Sequence, residues 1–342
     1  MPLARVAGVT IRVHVTFFAL VVLVALTAAD AGETVVAAVG WLLALFACVV
    51  AHELAHAVVA QSKGIAVHEI DLLPIGGISR LERIPERWRD EAAIAAAGPI
   101  ASAGIAAVAF ALAAGAGEPL LSASPWDGPL LVRLAWANLL LAGFNLLPAF
   151  PLDGGRVFRA LLERDHSRVE ATRRAAYVSR LLAILMIAVG ALFNLWLIVI
   201  GVFVLVAGRA EEAAVLIHAA LGPATARTLA WACPIALPAE MAAGDAVRTA
   251  DLHPQPAYPV TDAHGRIQGA VNLGVIRGAA PATPVRELAS GTIVEADAPL
   301  EAAAVEIVNG PVVVTSGGAV VGVITRELLD DYLRQRLHDV VA

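Results

Sequence analysis

Lysine occurs once in this 342-residue chain, at Lys63, and charge of either sign is sparse. Charged residues make up 16% and hydrophobic residues 59%. Ordinary soluble domains stand at roughly 25% and about 45–50%. That balance excludes an ordinary soluble protein, and the mean hydropathy of +0.76 points to an integral membrane protein with a remainder outside the bilayer. Positive charge is not in excess: the net charge of −6 argues against a nucleic-acid partner. Cysteine is nearly absent. Cys48 lies in an apolar run and Cys233 far downstream, so there is no disulfide framework. Long low-complexity runs are missing too. The abundance of Ala, Gly and Val, with Arg replacing Lys, is the bias of a GC-rich bacterial genome.

What the chain has instead is residues 42–60, LLALFACVVAHELAHAVVA. The stretch is long and apolar enough to cross a bilayer, yet it carries His52, Glu53 and His56. One ionisable group at the bilayer centre costs roughly 2.5–3.5 kcal/mol on insertion scales, so three need a compensating reason. The spacing H-E-x-x-H supplies one. On a helix, positions four apart share a face, so the two imidazoles can pinch one zinc ion while Glu53 serves as general base.

The first apolar run, 13–29, follows Arg5 and Arg12 and ends on TAADA. A cleaved signal peptide competes here with an uncleaved first helix, and the spans that follow favour the helix. Further spans are expected near 35–60, 91–114, 130–150, from about 171, and 193–208, with a turn near 190–194. Arginine and lysine concentrate at the N-terminus, in 61–90, in 153–180 and after Arg209, and are missing from 30–33, 115–129 and 190–194. Six spans with both termini cytoplasmic satisfy the positive-inside rule, Arg133 being the one discordant charge. Between the second and third spans, VHEIDLLPIGGISRLE (67–82) alternates and is broken by Pro74, Gly76 and Gly77. It reads as a short hairpin lying against protein or water near the site, since a free sheet edge cannot face lipid.

A catalytic zinc takes three protein ligands and keeps one open position. Asp153 is the leading third candidate, because it follows an apolar run broken at Asn145, Pro148 and Pro151. Gly154 and Gly155 after it free the backbone to turn. Glu69, Asp71 and His68 compete as ligands, and pairing with Arg156 competes as the role of Asp153. Asn145 can donate to an oxyanion or cap freed carbonyls.

HELAH at 52–56 together with NLLPAFPLDGG at 145–155 resembles the site-2 protease family of intramembrane zinc metalloproteases, over about 10–208. The resemblance implies one zinc per chain held by His52, His56 and Asp153. It also implies Glu53 as activator of water, Asn145 as contact to the substrate carbonyl, and a substrate-holding membrane hairpin around Gly76 and Gly77. The substrate it implies is a single-pass membrane regulator, such as an anti-sigma factor or a membrane-tethered transcription factor, cut near the cytoplasmic face of the plasma membrane. One departure stands out. The family's third span often reads G-P-x-x-N, and here Gly98 and Pro99 are followed by Ser102. No PDZ-like insertion is apparent. The rival reading from another class is a non-proteolytic ion-binding transporter or regulatory scaffold, against which the hydrolase residue set and the lack of inverted repeats both speak.

After Arg209 the composition turns soluble. Residues 211–234 read as an amphipathic connector and 235–342 as a small α/β domain similar to a shortened pair of CBS modules, with GAVVGVITRELL (318–329) its best fragment. Nucleotide-binding CBS pairs carry Thr or Ser with Asp three residues on. Here Thr325 is followed by Leu328, and Asn272 by Val275. That disfavours adenine nucleotide and favours a regulatory or homodimerising module. The fold expected is thus an α-helical polytopic membrane protein of about six spans (1–210) with a short membrane-associated hairpin and a cytosolic CBS-like tail.

Overall fold

The computed structural model describes residues 2–341 except 7, 29–33, 74, 75, 82–84, 86, 122–127 and 234. Pro74 and the 30–33 loop, both used in the sequence reading, lie outside the described residues. The chain divides into two compact units, Met1–Glu212 and Ala213–Ala342.

The first unit opens with two strands that the sequence reading did not anticipate, β1 (Pro2–Val6) and β2 (Val9–Val13). In β2, Val9, Ile11 and Val13 are buried, which is the period-two pattern of a half-buried strand. α1 (Val15–Thr27) follows, then α2 (Val35–Ser62), which carries HELAH. Thr34 caps α2 by accepting from the Ala37 amide at 3.2 Å. The hairpin expected over 67–82 is present as β3 (Val67–Leu73) and β4 (Gly76–Leu81). It does not stand alone: β2 pairs in parallel with β3, giving a four-stranded sheet in the order β1-β2-β3-β4. The sheet's apolar side joins Phe17 of α1, Ala57 and Ala60 of α2, and Ile94 in one core, so it buttresses the C-terminal half of the HELAH helix.

α3 (Trp88–Gly115) contains Pro99, which removes one helical N–H. α4 (Leu130–Asn145) ends where Asn145, Pro148 and Pro151 were expected to break it. The chain resumes as α5 (Asp153–Leu162), inside what the sequence reading took as an arginine-rich connection. α6 (Arg168–Phe193) and α7 (Leu195–Leu221) meet at Asn194, whose side chain accepts from the Trp196 amide at 2.9 Å. Among the described residues, α2, α3 and α6 are long and apolar enough to cross a membrane. α1 and α4 are apolar but shorter, and α7 turns charged at Arg209, Glu211 and Glu212. The discordant Arg133 lies 4.3 Å from the centre of the Trp41 ring, a cation–π contact that accounts for a cation at that end of α4.

In the second unit the connecting helix expected at 211–234 is not separate. α7 runs on to Leu221, and one turn, α8 (Ala226–Leu229), follows. Two copies of one β-α-β-β-α pattern come next. The first is β5 (Leu237–Pro238), α9 (Ala243–Leu252), β6 (Ala257–Thr261), β7 (Ile267–Asn272) and α10 (Leu273–Gly278). The second is β8 (Ile293–Glu295), α11 (Leu300–Glu306), β9 (Val312–Ser316), β10 (Ala319–Ile324) and α12 (Arg326–Val341). In each, the first strand lies parallel to the second and the second antiparallel to the third. Ala257 and Ala270 of the first copy share a core with Val313 and Val323 of the second. The repeat has the two-copy organisation expected of the tail from its sequence.

Candidate metal centre

The unbroken helix of α2 puts His52 and His56 one turn apart on a face turned inward, and both are buried. The break between α4 and α5 brings Asp153 to them. Its Oδ2 is 3.1 Å from His52 Nε2 and 3.3 Å from His56 Nε2. Among the described residues these three form the one group whose ligand atoms all lie within 4.8 Å of one another. The donor set fits zinc: atoms held at ~2.0–2.1 Å around a tetrahedral ion stand about 3.3 Å apart, close to both separations seen here.

The outer ring nitrogens are also held. His56 Nδ1 donates to the Ile94 carbonyl at 2.6 Å, which fixes the tautomer and leaves Nε2 as the ligand atom. His52 Nδ1 lies 2.9 Å from the fully buried Ser102 Oγ. Both partners come from α3, and α3 reaches the rings because residue 98 is glycine. A Cβ there would overlap Nε2 of both histidines. The departure at Ser102 thus has a structural content: the serine stands where it orients His52. Ser102→Ala is expected to weaken zinc binding roughly tenfold, the low end for loss of such a partner, as read by competition with a chromophoric chelator.

Two other expectations change. Gly154 and Gly155 do not make a turn; both lie in α5. A Cβ on Gly154 would run into the Leu146 and Leu147 carbonyls, and one on Gly155 into Ala149 and Phe150 backbone. They let α5 start directly against the 146–150 segment, which sets where Asp153 stands. The rival ligands are also occupied elsewhere: Arg12 holds Glu69 at 2.9 Å and Asp71 at 3.6 Å, while His68 is exposed. Arg156, the rival partner for Asp153, reaches Glu211 at 3.6 Å.

Glu53 follows His52 on α2 and is half-buried. Asn145 closes α4, and its amide donates to the Leu141 carbonyl at 3.0 Å, the capping arrangement, with a second N–H left to give. Gly76 and Gly77 open β4, opposite Leu73 and Leu72 of β3, and are not part of the histidine cluster. What the sequence reading missed is the contribution of α3. The available signal was a set of residues at one-face spacing, Glu91, Ile94, Gly98 and Ser102, with a carboxylate at the head of an apolar helix.

A profile of peptidase family M50 matches residues 40–124 and 123–189. Among curated relatives, zinc metalloprotease MJ0392 of Methanocaldococcus jannaschii is 32% identical over 80% of this chain and 78% of its own. The protein Rip3 of Mycobacterium tuberculosis is 34% identical over 95% and 90%. A solved site-2 protease from Methanocaldococcus jannaschii shares 33% identity, covering 62% of this chain and 94% of its own at a TM-score of 0.48. The two relatives match along most of both chains, and the profile spans the histidine cluster and Asp153. The protein therefore belongs to peptidase family M50, as a membrane-embedded zinc metallopeptidase of the site-2 type.

Proposed function

We propose that this protein hydrolyses a peptide bond within or beside the membrane segment of a single-pass regulator, near the cytoplasmic face. One observation carries the reading: two buried imidazoles and a half-buried carboxylate converge among helices apolar enough to lie in a bilayer. His52, His56 and Asp153 hold one zinc per chain. When bound, zinc supplies Lewis acidity, making a water acidic near neutral pH and polarising a carbonyl. Glu53 takes the proton of the attacking water and returns it to the leaving amine. The free N–H of Asn145 donates to the carbonyl oxygen as charge grows there.

A helical substrate hides its scissile carbonyl in backbone hydrogen bonds and must unwind locally. Among the described strands β4 pairs only with β3, and an extended substrate adds to its other edge, where Gly76 and Gly77 carry no side chain to obstruct it. Six spans with both termini in the cytoplasm place the cluster and α5 at the cytoplasmic side. The CBS-like tail, 235–342, serves in this reading as a regulatory or homodimerising module. Adenine nucleotide is disfavoured: Thr325 and Asn272 stand at matching places, directly before α12 and α10, but Leu328 and Val275 follow where carboxylates are needed.

The test uses the full chain in proteoliposomes with a single-pass membrane protein of the kind proposed, such as an anti-sigma factor. Cleavage within or beside the span is expected, lost on chelation and restored by zinc. Cleavage confined to soluble peptides overturns the reading. In cells, the membrane protein that accumulates uncut on replacing Glu53 identifies the substrate.

A further inference from the structure

The first unit buries a pair of opposite charges that the chemistry above does not use. Glu91, in the first turn of α3, and Arg159, in the last turn of α5, are both almost wholly buried. Arg159 Nε donates to Glu91 Oε1 at 2.9 Å, and a terminal guanidinium nitrogen reaches the same oxygen. Arg168 Nη2 holds Glu91 Oε2 at 3.0 Å, and Arg159 Nη1 lies 3.5 Å from Glu211. The Arg159 guanidinium also lies 5.2 Å from the centre of the buried Phe150 ring, and the Phe150 amide donates to Ser179 Oγ at 2.8 Å. The segment from Phe150 to Arg159 is therefore held at both ends, with Asp153 between them.

The other partner of the pair is equally placed. Glu91 is one turn from Ile94, which holds His56, and lies on the same face as Gly98 and Ser102. One face of α3 thus meets both histidines and, through Glu91, the helix that carries Asp153. Stability alone does not account for burying such charges, because apolar residues of similar volume are often as stable. Ion pairs with several directed contacts do fix geometry.

We propose that the Glu91–Arg159 pair positions the metal centre, locking α5 on α3 at the depth where the Asp153 carboxylate meets the two imidazoles. This inference rests on the assignment of His52, His56 and Asp153 as ligands. Arg159 is a positioning residue, acting through Asp153.

The experiment is a cycle on the full-length protein in detergent, with zinc affinity read by competition against a chromophoric chelator. Arg159→Met is expected to weaken zinc binding by about 10–100-fold, the range for loss of an outer support. Asp153→Ala is expected to weaken it further. In the Asp153→Ala background, Arg159→Met is expected to change nothing more, because its route to the metal is already cut. Unchanged affinity in Arg159→Met, or a loss that adds in full to that of Asp153→Ala, overturns the proposal. Unchanged affinity in Asp153→Ala overturns instead the ligand assignment beneath it. Should Arg159→Met not fold, Arg159→Lys runs the same cycle: it keeps the charge, lacks the forked contact, and is expected to show a smaller loss that vanishes in the same background. Arg133→Met, which removes the cation from Trp41, serves as control and is expected to leave zinc affinity unchanged.

Discussion

Replacing Glu53 by Gln is expected to leave zinc in the protein and to reduce cleavage by 10²–10⁴-fold, the usual contribution of a positioned acid–base group. The substitution isolates one property. Glutamine has nearly the shape of glutamate, so the packing of α2 against its neighbours is kept, and a neutral amide is less costly to bury than a carboxylate. The proposed ligand atoms belong to His52, His56 and Asp153, none of which changes. What is lost is an oxygen able to accept a proton from water and give it back. Zinc content and cleavage of a reconstituted membrane substrate must be measured on one preparation. Retained zinc with lost cleavage is the expected pair of results, and cleavage at the wild-type rate would remove Glu53 from the mechanism. Loss of both would mean that Glu53 supports the metal rather than the water.

The parts of this molecule that were legible in the sequence are those where polarity contradicts its surroundings. His52, Glu53 and His56 in an apolar helix demand a reason, and so does Asp153 beyond a run broken by two prolines. The hairpin β3–β4 was legible from alternation. By contrast, β1 and β2 were hidden because five-residue strands next to an apolar helix give too little pattern, although Val9, Ile11 and Val13 alternate with Thr10 and Arg12. The arginines after Asp153 illustrate a second limit. By the positive-inside rule they mark a side of the membrane, and that rule says nothing of partners. In the structure Arg156 pairs with Glu211, Arg159 and Arg168 both pair with Glu91, and Arg180 pairs with Glu212. A composition count cannot see such pairs, because their members are tens of residues apart. The role of α3 left only a one-face spacing to read, because Ile94 serves through a main-chain carbonyl and Gly98 serves by having no side chain.

That last property makes Gly98→Ala the sharpest structural test, because two effects of opposite sign compete. Alanine is a better helix former than glycine by about 0.8–1.0 kcal/mol, so at an open position the change favours the helix. Gly104, in the same helix, is such a position, with nothing within 4 Å of an added Cβ. Gly104→Ala is accordingly expected to be neutral or mildly stabilising, with zinc affinity unchanged. At Gly98 the added carbon would meet Nε2 of both histidines, well inside van der Waals contact. Relief requires moving the rings or moving α3. If the rings move, they leave the point they share with Asp153. If α3 moves, His56 loses the Ile94 carbonyl and His52 loses Ser102, so the rings lose their orientation. Either route disrupts the site, and the expected result is zinc binding weakened by more than about 100-fold, beyond what loss of a single supporting hydrogen bond gives. Helix content by circular dichroism should remain that of the wild type, which separates a damaged metal centre from a damaged fold. Wild-type zinc affinity in Gly98→Ala would mean that α3 does not press on the histidines, and the account of α3 as their template would fail with it.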